Sequence, residues 1–155
     1  MTNTLFKDGV PYVGAIGQNI ARGIVPTATG WDTPPSNLEN ATDGDPTTAT
    51  GVGSTTLGGG GYIGTIEIDL QTYKNILVSV LCSAWSDGGP RIDLHLVADS
   101  YYWGDIGYSY ASSENRMTCN VGWVYANKIN LQYIGGAADT YYIKIYEIVA
   151  LEVIP

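Results

Sequence analysis

An all-β sandwich is the fold class this chain predicts. Three observations point to it: a composition rich in glycine and tyrosine, period-two alternation in several segments, and no extended run with a helical period. Twenty glycines and 12 tyrosines, with many threonines and few lysines, favour strands joined by turns. At 155 residues the chain fits one domain. A chain of that size buries about 68–70% of its extended surface, so its core needs no staples.

Taken in order, residues 1–34 are mixed. Short apolar stretches at Val10 to Ile16 and Ile20 to Val25 are followed by PTATGWDTPP. This segment reads as an N-terminal arm or edge strand, stiffened at Pro34-Pro35, that leads into a β-sandwich domain over 35–155. GSTTLGGGGY reads as a flexible loop. YIGTIEIDL, from Tyr62, then places Ile66, Ile68 and Leu70 on one face and Glu67 and Asp69 on the other, the pattern of a half-buried strand. NILVSVLCSAW, from Asn75 to Trp85, is more continuously apolar and suits a central strand covered on both sides. SDGGP makes a turn. RIDLHLVAD turns Ile92, Leu94 and Leu96 inward and Asp93 and His95 outward, and KINLQYI does the same with Ile129, Leu131 and Tyr133. Six to nine strands at this spacing suit a jelly-roll sandwich of two antiparallel sheets.

Charge and composition narrow the function. A formal charge of −8 and a pI near 4.3 repel phosphate backbones and leave no basic cluster for nucleic acid. No segment reaches the ~18 apolar residues of a membrane span, so no membrane insertion is expected. The N-terminus lacks the basic and apolar regions of a secretory signal; either such a signal has been removed or the protein leaves its cell by another route, such as lysis. Cys82 and Cys119 are either one disulfide between neighbouring strands or buried free thiols. His95 lies on a predicted outer face without a nucleophile motif around it, and its spacing from the cysteines is not that of a zinc site. The chain therefore reads as a binder or a building block, not an enzyme.

Two segments suggest a cation site. NATDGDPTTAT, residues 40–50, sets Asp43 and Asp45 around Gly44, which permits a sharp turn, and follows them with hydroxyls. Carboxylate, hydroxyl and carbonyl oxygens are the ligands calcium takes, although Asp-Gly-Asp-Pro is also an ordinary solvated turn. At the other end, alternation through the strand Tyr141 to Val153 places Tyr141, Ile143, Ile145, Glu147, Val149, Leu151 and Val153 on one face. Glu147 then stands where an apolar residue belongs. A carboxylate there costs several kcal/mol or so unless it is paired or metal-bound. Lys144 points to the opposite face, so either a cation joins Glu147 to the Asp43 loop or a bulge near Tyr146 turns Glu147 outward.

These two motifs, NATDGDPTTAT with the alternating strand after it and YYIKIYEIVALEV at the C-terminus, resemble the galactose-binding-like β-sandwich superfamily. That superfamily holds discoidin domains, coagulation-factor C-type domains and many carbohydrate-binding modules. The resemblance spans roughly Pro35 to Val153. It implies a structural calcium ion bound by Asp43, Thr48 and Glu147, with backbone carbonyls of Asn40, Asp45 and Tyr146 completing the shell. The chain departs from the pattern at Thr50, where the family often carries an aromatic residue.

DSYYWGDIGYSYASSENR, from Asp99 to Arg116, crowds tyrosines and a tryptophan into what reads as a glycine-containing loop. Aromatic faces stack on the apolar faces of sugar rings, and nearby polar groups orient the hydroxyls. Arg91, Tyr102, Trp103 and Arg116 are the candidate glycan contacts. The same aromatics could instead pack on the end of the sandwich or on another subunit. The functional expectation is a virion surface component, a phage capsid decoration or tail-associated protein that forms a homo-oligomer, packs with other virion or surface proteins and contacts host glycans. The alternative is a stand-alone carbohydrate-binding module or lectin, secreted and extracellular.

Overall fold

The computed structural model describes residues 5–7, 10–12, 15–99, 101–119 and 122–154, with side chains for 17–99, 104–117, 119 and 122–154. Its strands are β1 (Leu5–Lys7), β2 (Val10–Tyr12), β3 (Ala15–Asn19), β4 (Thr27–Thr29), β5 (Gly53–Leu57), β6 (Gly61–Ser86), β7 (Ile92–Ala98), β8 (Tyr101–Ser109), β9 (Arg116–Cys119), β10 (Gly122–Gly135) and β11 (Asp139–Ile154). A single 3₁₀ turn, Leu38–Ala41, is the only helical element among the described residues. β1 and β2 form a two-stranded ribbon. The other nine strands form one continuous antiparallel network in the order β10-β7-β8-β9-β6-β11-β3, with β4 on β6 and β5 on β11.

The two predicted strands around residues 62–70 and 75–85 are one bent strand of 26 residues, β6. β10 pairs along it from Gly61 to Val78, β4 pairs with its first half, and β11 and β9 pair with its second half. This shared strand is why the sandwich is hydrogen-bonded as a single sheet instead of two separate ones. The bend has a local cause. The β10 register shifts between Ala126 and Lys128, Gln71 adopts φ 66°, and its amide donates to Asp69 Oδ1 at 2.8 Å. An Asx turn of this kind offers the backbone an alternative to the ladder.

The core follows the alternation. Ile66, Ile68, Ile92, Leu94, Leu96, Ile129, Leu131, Tyr133, Tyr141, Ile143 and Ile145 are all fully buried. The aromatic stretch expected as a loop is instead strand β8, paired with β7 from Ile92↔Ser109 to Ala98↔Tyr101 and interrupted by two register shifts. Cys82 and Cys119 are free thiols. Contact with Cys119, then burial, pushes the Cys82 thiol well above its ordinary range, and Cys82 Sγ lies 3.7 Å from Met117 Sδ.

Residues 15–34 contribute β3 and β4 to the network and bring Trp31 onto the sheet. The Trp31 indole donates to the Thr65 carbonyl at 3.2 Å and lies 6.1 Å from the Tyr133 ring. Gly64 lies directly beneath the indole, where a Cβ would fall inside it. Gly64→Ala is therefore expected to cost about 1–3 kcal/mol, the usual penalty of overpacking, read as a lower urea midpoint at unchanged slope. A midpoint equal to that of the parent protein would show that Trp31 moves aside without cost.

Candidate functional site

The C-terminal strand carries a β-bulge where Glu147 stands. Ile145 pairs with Cys82 and Glu147 with Leu81, leaving Tyr146 as the extra residue. A bulge resets which face each later side chain takes. After it, Ile148 and Ala150 enter the core while Val149 and Leu151 leave it, opposite to the expected alternation. Glu147 therefore does not lie on the core face. It shares the outer face with Leu81, Ser79 and Val149, and with Asn19, Arg22, Gly44 and Pro46 these residues line an open cleft of about 480 Å³.

Glu147 is nevertheless only 7% exposed, because the Asp43 loop covers it. Thr50 holds that loop to the strand, its amide donating to the Ile145 carbonyl at 2.8 Å and its hydroxyl accepting from the Ile145 amide at 3.1 Å. The residue that departs from the family pattern thus makes the attachment. Within the loop, Asp43 accepts from the Thr48 hydroxyl at 2.6 Å and from the Asp45 amide at 2.8 Å. Asp45 accepts from the Thr47 hydroxyl and amide, and these bonds hold its carboxyl below the ordinary range. Asn40 Nδ2 donates to the Ala49 carbonyl at 2.8 Å. Gly44, at φ +82°, lets the loop turn and sits against the Arg22 guanidinium.

Both Glu147 carboxylate oxygens are buried without a hydrogen-bond partner. Burial first, then the charge of Asp43, pushes the Glu147 carboxyl above the ordinary carboxylate range, against the opposing pull of the Gly44 amide and Arg22. The amide is near enough to favour the ionised form but makes no hydrogen bond of ordinary geometry. An orphaned carboxylate beside two more acids and a threonine hydroxyl is a donor set that suits a hard cation. No three His, Cys, Asp or Glu side chains form a metal cluster among the described residues, so a cation here would also need hydroxyl and carbonyl oxygens. Arg22 does not stand out in the sequence, because it sits within an apolar stretch and only the fold brings it to Gly44; Thr50 stands out there only as a departure from the family pattern, not as the loop's attachment.

The candidate glycan contacts fall into separate clusters. Arg91 lies 4.8 Å from the Tyr108 ring centre and 5.8 Å from that of Tyr110, and its Nε donates to Asp93 Oδ1 at 2.7 Å. Tyr108 and Tyr110 are 58% and 59% exposed. Arg116 is elsewhere, over the Tyr146 ring at 4.4 Å. Tyr102 and Trp103 belong to β8, and their side chains lie outside the described residues. The Tyr146 side chain leaves the acidic loop and donates from its hydroxyl to Glu114 at 3.0 Å. His95 Nε2 lies 2.8 Å from Asp105 Oδ1 on the neighbouring strand.

Long strands, a sandwich core and loops folded over its outer face make this an antiparallel β-sandwich, a fold it shares with solved carbohydrate-binding modules. It is similar to the family 32 carbohydrate-binding module of Clostridium perfringens NanJ, solved with galactose, at a TM-score of 0.50 and 12% identity, over 88% of this chain and 99% of that one. It is also similar to chitosan-binding module 2 of a chitosanase/glucanase from Paenibacillus sp. IK-5, solved with chitotriose, at a TM-score of 0.48 and 17% identity, over 88% of this chain and 100% of that one. No protein-family model and no curated protein sequence matches the chain.

Proposed function

We propose that this protein is a non-catalytic carbohydrate-binding module that works outside the cell. The observation that carries the reading is the exposed pair Tyr108 and Tyr110 with Arg91 against both rings. Aromatic surface offers the apolar face of a sugar a stacking partner, and the Arg91 and Asp93 side chains offer its hydroxyls a donor and an acceptor. The likeness of fold to a module solved with galactose supports the same reading. It takes precedence over the virion-surface reading because exposed tyrosines flanking an arginine form a recognition surface for a small ligand, and that does not require an assembly of subunits.

In the same reading, calcium is held between the Asp43 loop and β11 by Asp43, Thr48 and Glu147, with carbonyls of Asn40, Asp45 and Tyr146. The orphaned Glu147 oxygens support this assignment. The ion's part is structural, pinning the loop to the last strand. Glycan binding is tested by calorimetry with galactose, N-acetylgalactosamine-β-1,3-galactose and chitotriose. Arg91→Ala is expected to weaken the sugar that binds by about tenfold, roughly 1.4 kcal/mol. If none of these sugars gives heat, the module reading loses its support.

A further inference from the structure

A second groove lies on the same outer face, on the other side of the Tyr146–Glu147 bulge. Ser83, Glu114, Asn115, Arg116 and Tyr146 line it, and its volume is about 510 Å³. The strands that build it are β6, β9 and β11, since Ser83 pairs with both Arg116 and Lys144. The Ser83 side chain is 1% exposed, yet its hydroxyl has no hydrogen-bond partner. Sequences rarely keep a buried hydroxyl without a partner, because removing it would relieve the desolvation cost. Its place in the wall of a groove supplies a reason: a ligand completes it.

The groove's chemistry defines that ligand. Glu114 accepts from the Tyr146 hydroxyl at 3.0 Å and from Lys144 Nζ at 3.2 Å, and these bonds hold its carboxyl below the usual range, so it is an acceptor at neutral pH. Arg116 lies over the Tyr146 ring. Two register pairs further along, on the same face, Trp85 and Tyr142 stack at 5.5 Å between ring centres, with the Tyr142 hydroxyl on Asp87. Two cations, Arg116 and Lys144, thus face two anions, Glu114 and Asp87, between aromatic surfaces at both ends. Such a surface suits a neutral ligand that presents many hydroxyls on an apolar frame. The protein's charge of −8 disfavours polyanionic chains. From Tyr142 to Tyr146 the strand advances roughly 13 Å, longer than a single sugar ring.

We propose that this groove is a saccharide-binding site, distinct from the Arg91 cluster, that takes an internal segment of a neutral oligosaccharide laid along β11 with its hydroxyls on Ser83, Glu114 and Arg116. The proposal rests on the carbohydrate-binding reading but places its own contacts. The test is an NMR titration of the ¹⁵N-labelled full chain with lactose, cellotetraose and N-acetylated chitotriose. At least one sugar is expected to shift the Ser83, Arg116 and Tyr146 amides saturably, and Arg116→Ala is expected to weaken that binding tenfold or more. Ser83→Ala supplies a second readout: it should raise the melting temperature while weakening binding at least threefold. A sugar whose shifts are confined to Arg91, Tyr108 and Tyr110 overturns the groove and leaves the module reading standing. Absence of shifts with all three sugars overturns both. A Ser83→Ala protein that is more stable and binds the groove as tightly as its parent also overturns the assignment.

Discussion

Replacing Leu131 by alanine is expected to destabilise the protein by about 2–5 kcal/mol, the range for large-to-small changes in a packed core. Leu131 is at the centre of β10, opposite Ile66 on β6 and Leu96 on β7, and all three are fully buried. Because β6 continues from this layer into the strands that pair with β11, a cavity here loosens the strand that joins the two halves of the sandwich. For a domain of this size each kcal/mol moves the melting temperature by roughly 2–4 °C, so the loss should be roughly 4–20 °C. Leu131→Met, which conserves volume, should cost less than about 1.5 kcal/mol. Calorimetry of the two variants provides the check. Equal melting temperatures for Leu131→Ala and Leu131→Met would mean that the centre of β10 is not close-packed.

Strand identity was legible because period-two alternation reports burial directly, and every inward position named for the segments around Ile68, Leu94 and Leu131 is buried. What alternation cannot carry is a change of phase. The bulge at Tyr146 reverses the faces of the next residues, so Val149 and Leu151 were placed inward when Ile148 and Ala150 fill the core. The same blindness splits the single strand β6 into two expected strands, since the bend at Asp69–Gln71 looks like a chain break in one dimension. Strand β8 reads as a loop for a related reason: its glycines and tyrosines lack an apolar face, and its pairing with β7 is broken by two register shifts. The clusters around Arg91 and Arg116 could not be told apart in sequence, because what separates them is which strand each arginine's aromatic partner occupies. The family resemblance gives Tyr146 only a carbonyl role, whereas in the fold its ring and hydroxyl organise the second groove.

Calcium is expected to raise the stability of the metal-free protein by about 2.7 kcal/mol when present at a hundred times its dissociation constant, or roughly 5–11 °C in melting temperature. The pH dependence identifies the group responsible. Burial and Asp43 raise the Glu147 carboxyl above its ordinary value of 4.5 in the folded protein, so between the unfolded and folded values the native state binds more protons than the unfolded one. Metal-free stability contributed by this group must then fall as pH rises through that window, and the penalty is absent below about 4.5. The gain from calcium runs the other way, because the ion binds the ionised carboxylate and a proton competes with it. Glu147→Gln removes both trends: without metal it should be at least as stable as the parent at neutral pH, and calcium should no longer shift its melting temperature. An equal calcium shift in parent and Glu147→Gln proteins would place the ion elsewhere and leave the buried carboxylate without a counter-charge.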